Sequence, residues 1–130
     1  MRRRLAEARV GHLATVGTDG KPHIVPVCFA LSDSTLFFAV DSKPKRTRDL
    51  TRLRNIAAHP AVSILVDYYG EDWSRLWWVR ADGEARIVDD PAESARAVGL
   101  LVNRYPQYLQ ARPEGPVVAV SIGRLSGWSG

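Results

Sequence analysis

The 130-residue chain has one cysteine, Cys28, and one methionine, and its three histidines, His12, His23 and His59, lie far apart. A single thiol excludes an internal disulfide, and between Val27 and Phe29 it reads as a small core hydrophobe. Neither a Cys-x-x-Cys nor a His-Glu-x-x-His pattern occurs, so no metal site is expected. Also missing are a Gly-x-Ser-x-Gly elbow, a P-loop and a Gly-x-Gly-x-x-Gly turn, which leaves serine hydrolases and the common nucleotide folds without support. No apolar run approaches the roughly 20 residues that cross a bilayer. The start, Met1 to Arg9, is basic but lacks the apolar stretch of a secretory signal. The expectation is a reduced, cytoplasmic protein with no membrane partner, forming a single domain over residues 1–130.

What is present is an ordinary globular composition, 45% hydrophobic and 25% charged. The formal net charge of +4 is local. Residues 41–54 carry Lys43, Lys45, Arg46, Arg48, Arg52 and Arg54 against Asp41 and Asp49, and residues 1–9 carry four arginines against Glu7. The remainder is mildly acidic. A focused basic patch suits an anionic small molecule or a nucleic acid backbone. Segment 41–58 contains no aromatic residue, which argues against a single-stranded nucleic acid, and no nucleic-acid partner is expected.

Hydrophobic periodicity orders the chain. Residues 2–8 suit a short helix. Residues 10–16, 23–31 and 35–40 read as three strands of a meander, joined by turns at Gly17–Pro22 and Ser32–Ser34. Leu50, Leu53, Ile56 and Ala57 fall on one helical arc, predicting a helix from Pro44 to just before His59-Pro60. Residues 61–67 have apolar side chains on both faces, as a central buried strand does. A long alternating strand follows over 75–88, then a helix opened by Pro91 and Glu93, then a last strand over 117–122. Six strands with at most one solvated face are best satisfied by closing into a small barrel.

Two features point toward a ligand. At Asp41-Ser42-Lys43-Pro44-Lys45-Arg46-Thr47-Arg48, cations and a hydroxyl crowd a helix start, where unpaired N–H groups and the helix dipole favour an anion such as phosphate. Arg52 fits the solvated back of an amphipathic helix better. Trp77 and Trp78 are adjacent in a strand and must face opposite ways; Trp78 shares the polar side of Arg80 and Asp82, where a large ring needs a ligand or a second subunit. Trp128 poses the same question.

In these residues the chain resembles the FMN-binding split-barrel superfamily typified by pyridoxamine 5′-phosphate oxidase, and within it the small deazaflavin (coenzyme F420)-dependent reductases. The resemblance rests on Val10-Gly11-His12-Leu13-Ala14-Thr15-Val16, Asp19-Gly20-Lys21-Pro22-His23, Val25-Pro26-Val27 and the 41–48 run. Asn55-Ile56, His59 to Asp67, Asp72 to Gly83, Tyr105-Pro106-Gln107-Tyr108 and Ser126-Gly127-Trp128 complete it.

The resemblance implies a mainly β fold with short helices, a six-stranded antiparallel Greek-key split barrel, homodimeric, with the cofactor at the interface. It implies an oxidoreductase moving a hydride between reduced F420 and a small electron-poor organic acceptor. The alternatives are an FMN-dependent oxidoreductase and a non-catalytic F420-binding or storage protein. The phosphate would sit at Lys43, Lys45, Arg46, Thr47 and Arg48, and the ring along Pro26, Val27, Phe38, Ala39 and Val40, with Trp78 of the second subunit closing the pocket. The breadth of the basic track favours the long anionic tail of F420 over the single phosphate of FMN. No catalytic side chain is assigned; His23 and the Tyr68/Tyr69 pair are the proton donors to consider. The arginine-bearing C-terminal segment that grips pyridoxal phosphate in true oxidases has no counterpart in Arg124 to Trp128, so oxidation of pyridoxamine phosphate is not expected. His59 stands where relatives have Asn, which bears on a helix end.

Overall fold

A computed structural model describes the backbone of residues 1–40 and 46–130 and the side chains of 1–40 and 51–130. The order is α1 (Arg2–Glu7), β1 (Gly11–Val16), β2 (Pro22–Val27), β3 (Ala30–Ser32), β4 (Thr35–Ala39), α2 (Arg46–Ala58), β5 (Ala61–Tyr68), β6 (Trp77–Ile87), α3 (Pro91–Arg104) and β7 (Val117–Ser129). The strands form one sheet in the order β2-β1-β5-β6-β7-β4-β3, every pairing antiparallel. This is the mainly β split-barrel architecture, with seven strands in place of the expected six.

The extra strand comes from a corner. Residues 23–31, expected as one strand, break after Val27: β2 pairs with β1, whereas β3 pairs with β4 at the opposite edge of the sheet. Phe29 turns fully inward at the break. A corner leaves backbone groups outside any ladder, and buried ones need partners. The Tyr105 hydroxyl supplies them, accepting from Phe29 N–H at 3.1 Å and lying 3.0 Å from both the Phe29 and Arg9 carbonyl oxygens. The same bend turns Cys28 outward: the thiol is exposed, and the reading of it as a core residue was wrong.

The sheet curls around a core of Leu13, Phe29, Phe38, Ile64, Val79, Ala81 and Val118, plugged by Leu5 of α1 and Ile56 of α2. The helix α2 stops at Ala58 before His59-Pro60, as its sequence predicts. It also buries Asn55, whose Nδ2 donates to the equally buried Thr15 Oγ1 at 3.1 Å, a polar pin between α2 and β1. Ala57, placed on the apolar arc, is exposed. On the other side of β4 and β7, α3 packs Ala97 and Val98 against Phe37, Val117 and Ala119, so β4 is buried on both faces. Asp90 caps α3 through Ala92 N–H at 3.0 Å. Strand β7 runs to Ser129, well past the expected Ile122, because it stays paired with β6. One register shift at Asp82/Gly83 keeps the long pair curling. Arg75, expected to begin β6, instead ends a 3₁₀ turn over Trp73–Arg75 capped by Asp72, and β6 starts at Trp77. No helix among the described residues is long and apolar enough to cross a membrane.

Arg86 at the end of β6 grips Glu93 of α3 through two hydrogen bonds of 2.9 and 2.6 Å. Bonding to the guanidinium holds the Glu93 carboxyl below its ordinary range. Because the folded-state pKa is the lower one, this contribution is complete above the unfolded value and is lost as pH falls through the folded value. Glu93→Gln should lower the Tm by about 2 °C at pH 7. The gap to the parent should close in melts recorded at acid pH. An equal gap at pH 7 and in acid would refute the pair's role.

Candidate functional site

The expected cofactor residues fall in three places. Lys43 and Lys45 lie outside the described residues; Arg46, Thr47 and Arg48 form the first turn of α2, the next described element after β4. Pro26 and Val27 end the edge strand β2, Phe38 and Ala39 end β4, and Val40 follows it directly. Val27, Phe38 and Val40 belong to one core cluster, so the structure does bring these two strand ends against a common interior. Their side chains are buried, however, and only Pro26 and the half-buried Ala39 reach a surface. A ring lying here would meet main chain and the edges of small side chains.

Trp78 is elsewhere. Trp77 packs against the core while Trp78 points to the outer face of the sheet, as strand alternation requires. That face is built from one row of side chains per strand: His12 and Ala14 on β1, Ile24 and Pro26 on β2, Ser63 and Leu65 on β5, Trp78 and Arg80 on β6. A groove of about 410 Å³ runs across it, lined by His12, Ile24, Ser63, Leu65, Trp78 and Arg80 among others. Its apolar walls are accessible, with Ile24 65% exposed. Its polar end is organised: the Ser63 hydroxyl donates to Asp82 Oδ1 at 2.6 Å, and Arg80 pairs with Asp82 at 3.2 Å while lying over the Trp78 ring. Strand β5 is central as expected, but on this outer face Ser63 and Leu65 are only half-buried.

The two proton-donor candidates do not meet. His23 faces Thr15 near one end of the sheet, with its Nδ1 buried and without a hydrogen-bond partner among the described residues. Tyr68 pairs with Trp77 at the far end of β5, and Tyr69 is exposed. Sequence reasoning also missed the roles of Tyr105, Arg104 and Asn55, which set the frame around these elements; Tyr105 and Asn55 were visible only as parts of motifs.

A model of the pyridoxamine 5′-phosphate oxidase family matches residues 1–128. The chain belongs to that family.

Among solved structures, a conserved hypothetical protein of Mycobacterium tuberculosis is 25% identical, with 98% of this chain and 81% of that one covered and a TM-score of 0.76. An FAD-binding protein from Mesorhizobium loti is also 25% identical, covering 97% and 89%, with a TM-score of 0.70. The heme storage protein HutZ from Vibrio cholerae shares the fold at 15% identity, covering 98% and 90%, with a TM-score of 0.73. No curated protein matches. The pyridoxamine 5′-phosphate oxidase fold thus serves both flavin and heme binders, and membership does not choose between them. Among the described residues no cluster of three or more His, Cys, Asp or Glu could hold a metal ion.

Proposed function

We propose that this protein is an F420-dependent oxidoreductase that moves a hydride between the reduced deazaflavin and a small electron-poor organic acceptor, working as a homodimer with the cofactor between the two copies. The observation that carries the reading is the run Lys43–Arg48 entering α2. In the sequence the run holds four cations and a threonine, and its last three residues, Arg46, Thr47 and Arg48, open a 13-residue helix. That donor set fits a phosphodiester followed by carboxylates, and it exceeds what one terminal phosphate needs.

Lys43, Lys45, Arg46 and Thr47 would hold the phosphate, and Arg48 the beginning of the anionic tail. When bound, F420 supplies the hydride from its ring. The chain's own part is orientation and exclusion of water: the ends of β2 and β4 form a wall of main chain and buried side chains, and Trp78 of the partner subunit closes the site. The uncovered outer sheet face, with Ile24 and the half-buried Leu65 and Trp78, is the surface offered to the second copy.

The test is a titration of apo-protein with F420, FMN, FAD and heme, on the parent and on Lys45→Ala/Arg46→Ala, with light scattering for the oligomeric state. F420 should bind at micromolar Kd or tighter to a dimer. The double variant should lose about 10²-fold or more, the worth of two charge-assisted hydrogen bonds. An acceptor screen with reduced F420 then separates a reductase from a storage protein. Binding of FMN or FAD alone would move the protein to flavin chemistry, heme alone to heme handling, and a monomer with no ligand would end the proposal.

A further inference from the structure

Helix α3 carries a second apolar stripe that its own chain leaves uncovered. We propose that this stripe pairs antiparallel with α3 of a second copy across a two-fold axis, as a contact separate from the outer sheet face. It does not depend on the cofactor reading, and no residue lining the outer groove lines this one.

Two patterns overlap in α3. Ala97, Val98 and Leu101 are buried in the fold. Ala92, Ala95, Gly99 and Val102 follow a 3-4-3 spacing, the seam of a helix pair. The first three are exposed and Val102 is half-buried. Past Gly99 the seam runs into a groove of about 380 Å³, lined by Val102, Asn103, Pro106, Leu109 and Arg112 as well. Leu109 stands 72% exposed. Gly99 is an independent sign that something covers the seam. A glycine inside a helix is destabilising relative to alanine, yet a Cβ here would meet nothing within 4 Å. The fold of one chain gives no reason for the missing methyl, whereas a backbone arriving from outside does. Small residues at a crossing let helix axes approach to about 8 Å.

The occupant follows from the asymmetry of the stripe. Its first half is small, Ala92 and Ala95; its second half is bulky, Val102, Pro106 and Leu109. Antiparallel pairing of two copies sets Val102 against Ala92 and Gly99 against Ala95, so each large side chain meets a small one. The charges agree. Arg112 lines the groove at the second half, where no carboxylate does. Asp89 and Asp90 are exposed where the first half begins. The two-fold brings the acids of one copy to the arginine of the other and opposes the helix dipoles. Arg96 flanks the axis in both copies, with Glu93 one turn earlier to offset that like-charge approach. A parallel pair would set bulky end on bulky end and arginine on arginine.

The test is sedimentation and light scattering of the full chain over about 1–300 μM. Gly99→Leu and Arg112→Asp should each weaken the α3 contact about tenfold or more. Asp89→Arg/Arg112→Asp should recover most of that loss. Ile24→Lys, on the outer sheet face, should leave the α3 contact alone and break only the dimer of the proposed function. Gly99→Ala separates assembly from folding: at the lowest concentration its Tm should rise by a few degrees, while its association weakens. A parent tetramer that each of Gly99→Leu and Ile24→Lys reduces to a dimer supports both contacts. A parent dimer that Gly99→Leu dissociates and Ile24→Lys does not keeps this contact and removes the outer-face dimer. A monomer throughout the range, an assembly indifferent to Gly99→Leu, or charge reversal without recovery would each overturn the proposal.

Discussion

Gly83→Ala should be the most damaging single-methyl change in this protein. A Cβ there would sit 2.3 Å from the Ser121 carbonyl oxygen, 3.0 Å from its carbon and 3.1 Å from Val120 Cγ1. The first two contacts are backbone and cannot rotate away. Gly83 lies at the register shift of the β6–β7 pair. Relief requires the ladder to open on the strand pair that carries both Trp78 and Trp128. We expect a loss of about 3 kcal/mol or more, the upper range for overpacking, read as a fall in denaturation midpoint or as failure to recover folded protein. A variant with parental stability would mean that the two strands are not locked at this separation.

The second large effect is expected at Tyr105, where the change is one oxygen atom. Tyr105→Phe keeps the ring, its edge contact with Tyr108 at 5.9 Å and the guanidinium of Arg9 over its face. It removes the hydroxyl that serves Phe29 N–H and the Phe29 and Arg9 carbonyl oxygens. The Phe29 N–H is then buried without that partner, a cost of about 1–3 kcal/mol. The loss should appear as a Tm decrease on the order of 5–10 °C. Because β2 ends at Val27, two residues before this corner, the variant should also weaken cofactor binding at a temperature where it is still folded. Parental Tm together with parental affinity would show that the corner is held by packing alone. The Arg104 guanidinium works beside it, donating to the Ala6 and Ala8 carbonyl oxygens at the end of α1 and lying over the Phe29 ring. Together these two side chains tie α1, the β2–β3 corner and α3 into one frame.

Much of this was legible in the residues themselves. The Asp19-Gly20 turn reads directly, because Gly20 takes a φ of +80° and Asp19 accepts from Lys21 N–H. The opposition of Trp77 and Trp78 follows from strand alternation, and the end of α2 from His59-Pro60. The start of α3 follows from Asp90 and Pro91. Each of these is a local rule acting over a few residues.

The sequence by itself determined the strands and helices, the position of the basic run and, through an ordered set of motifs, the family. Tertiary structure alone decided that one apolar stretch becomes two strands at opposite edges, because the chain bends where Phe29 enters the core. It also decided that Tyr105, 76 residues away, satisfies that bend, that Asn55 is buried on Thr15, and that Arg4 of α1 lies over the Trp77 ring. The physical reason is common to all four. Burial and hydrogen-bond satisfaction at these points depend on groups distant in the chain, and no local period encodes which distant group will arrive.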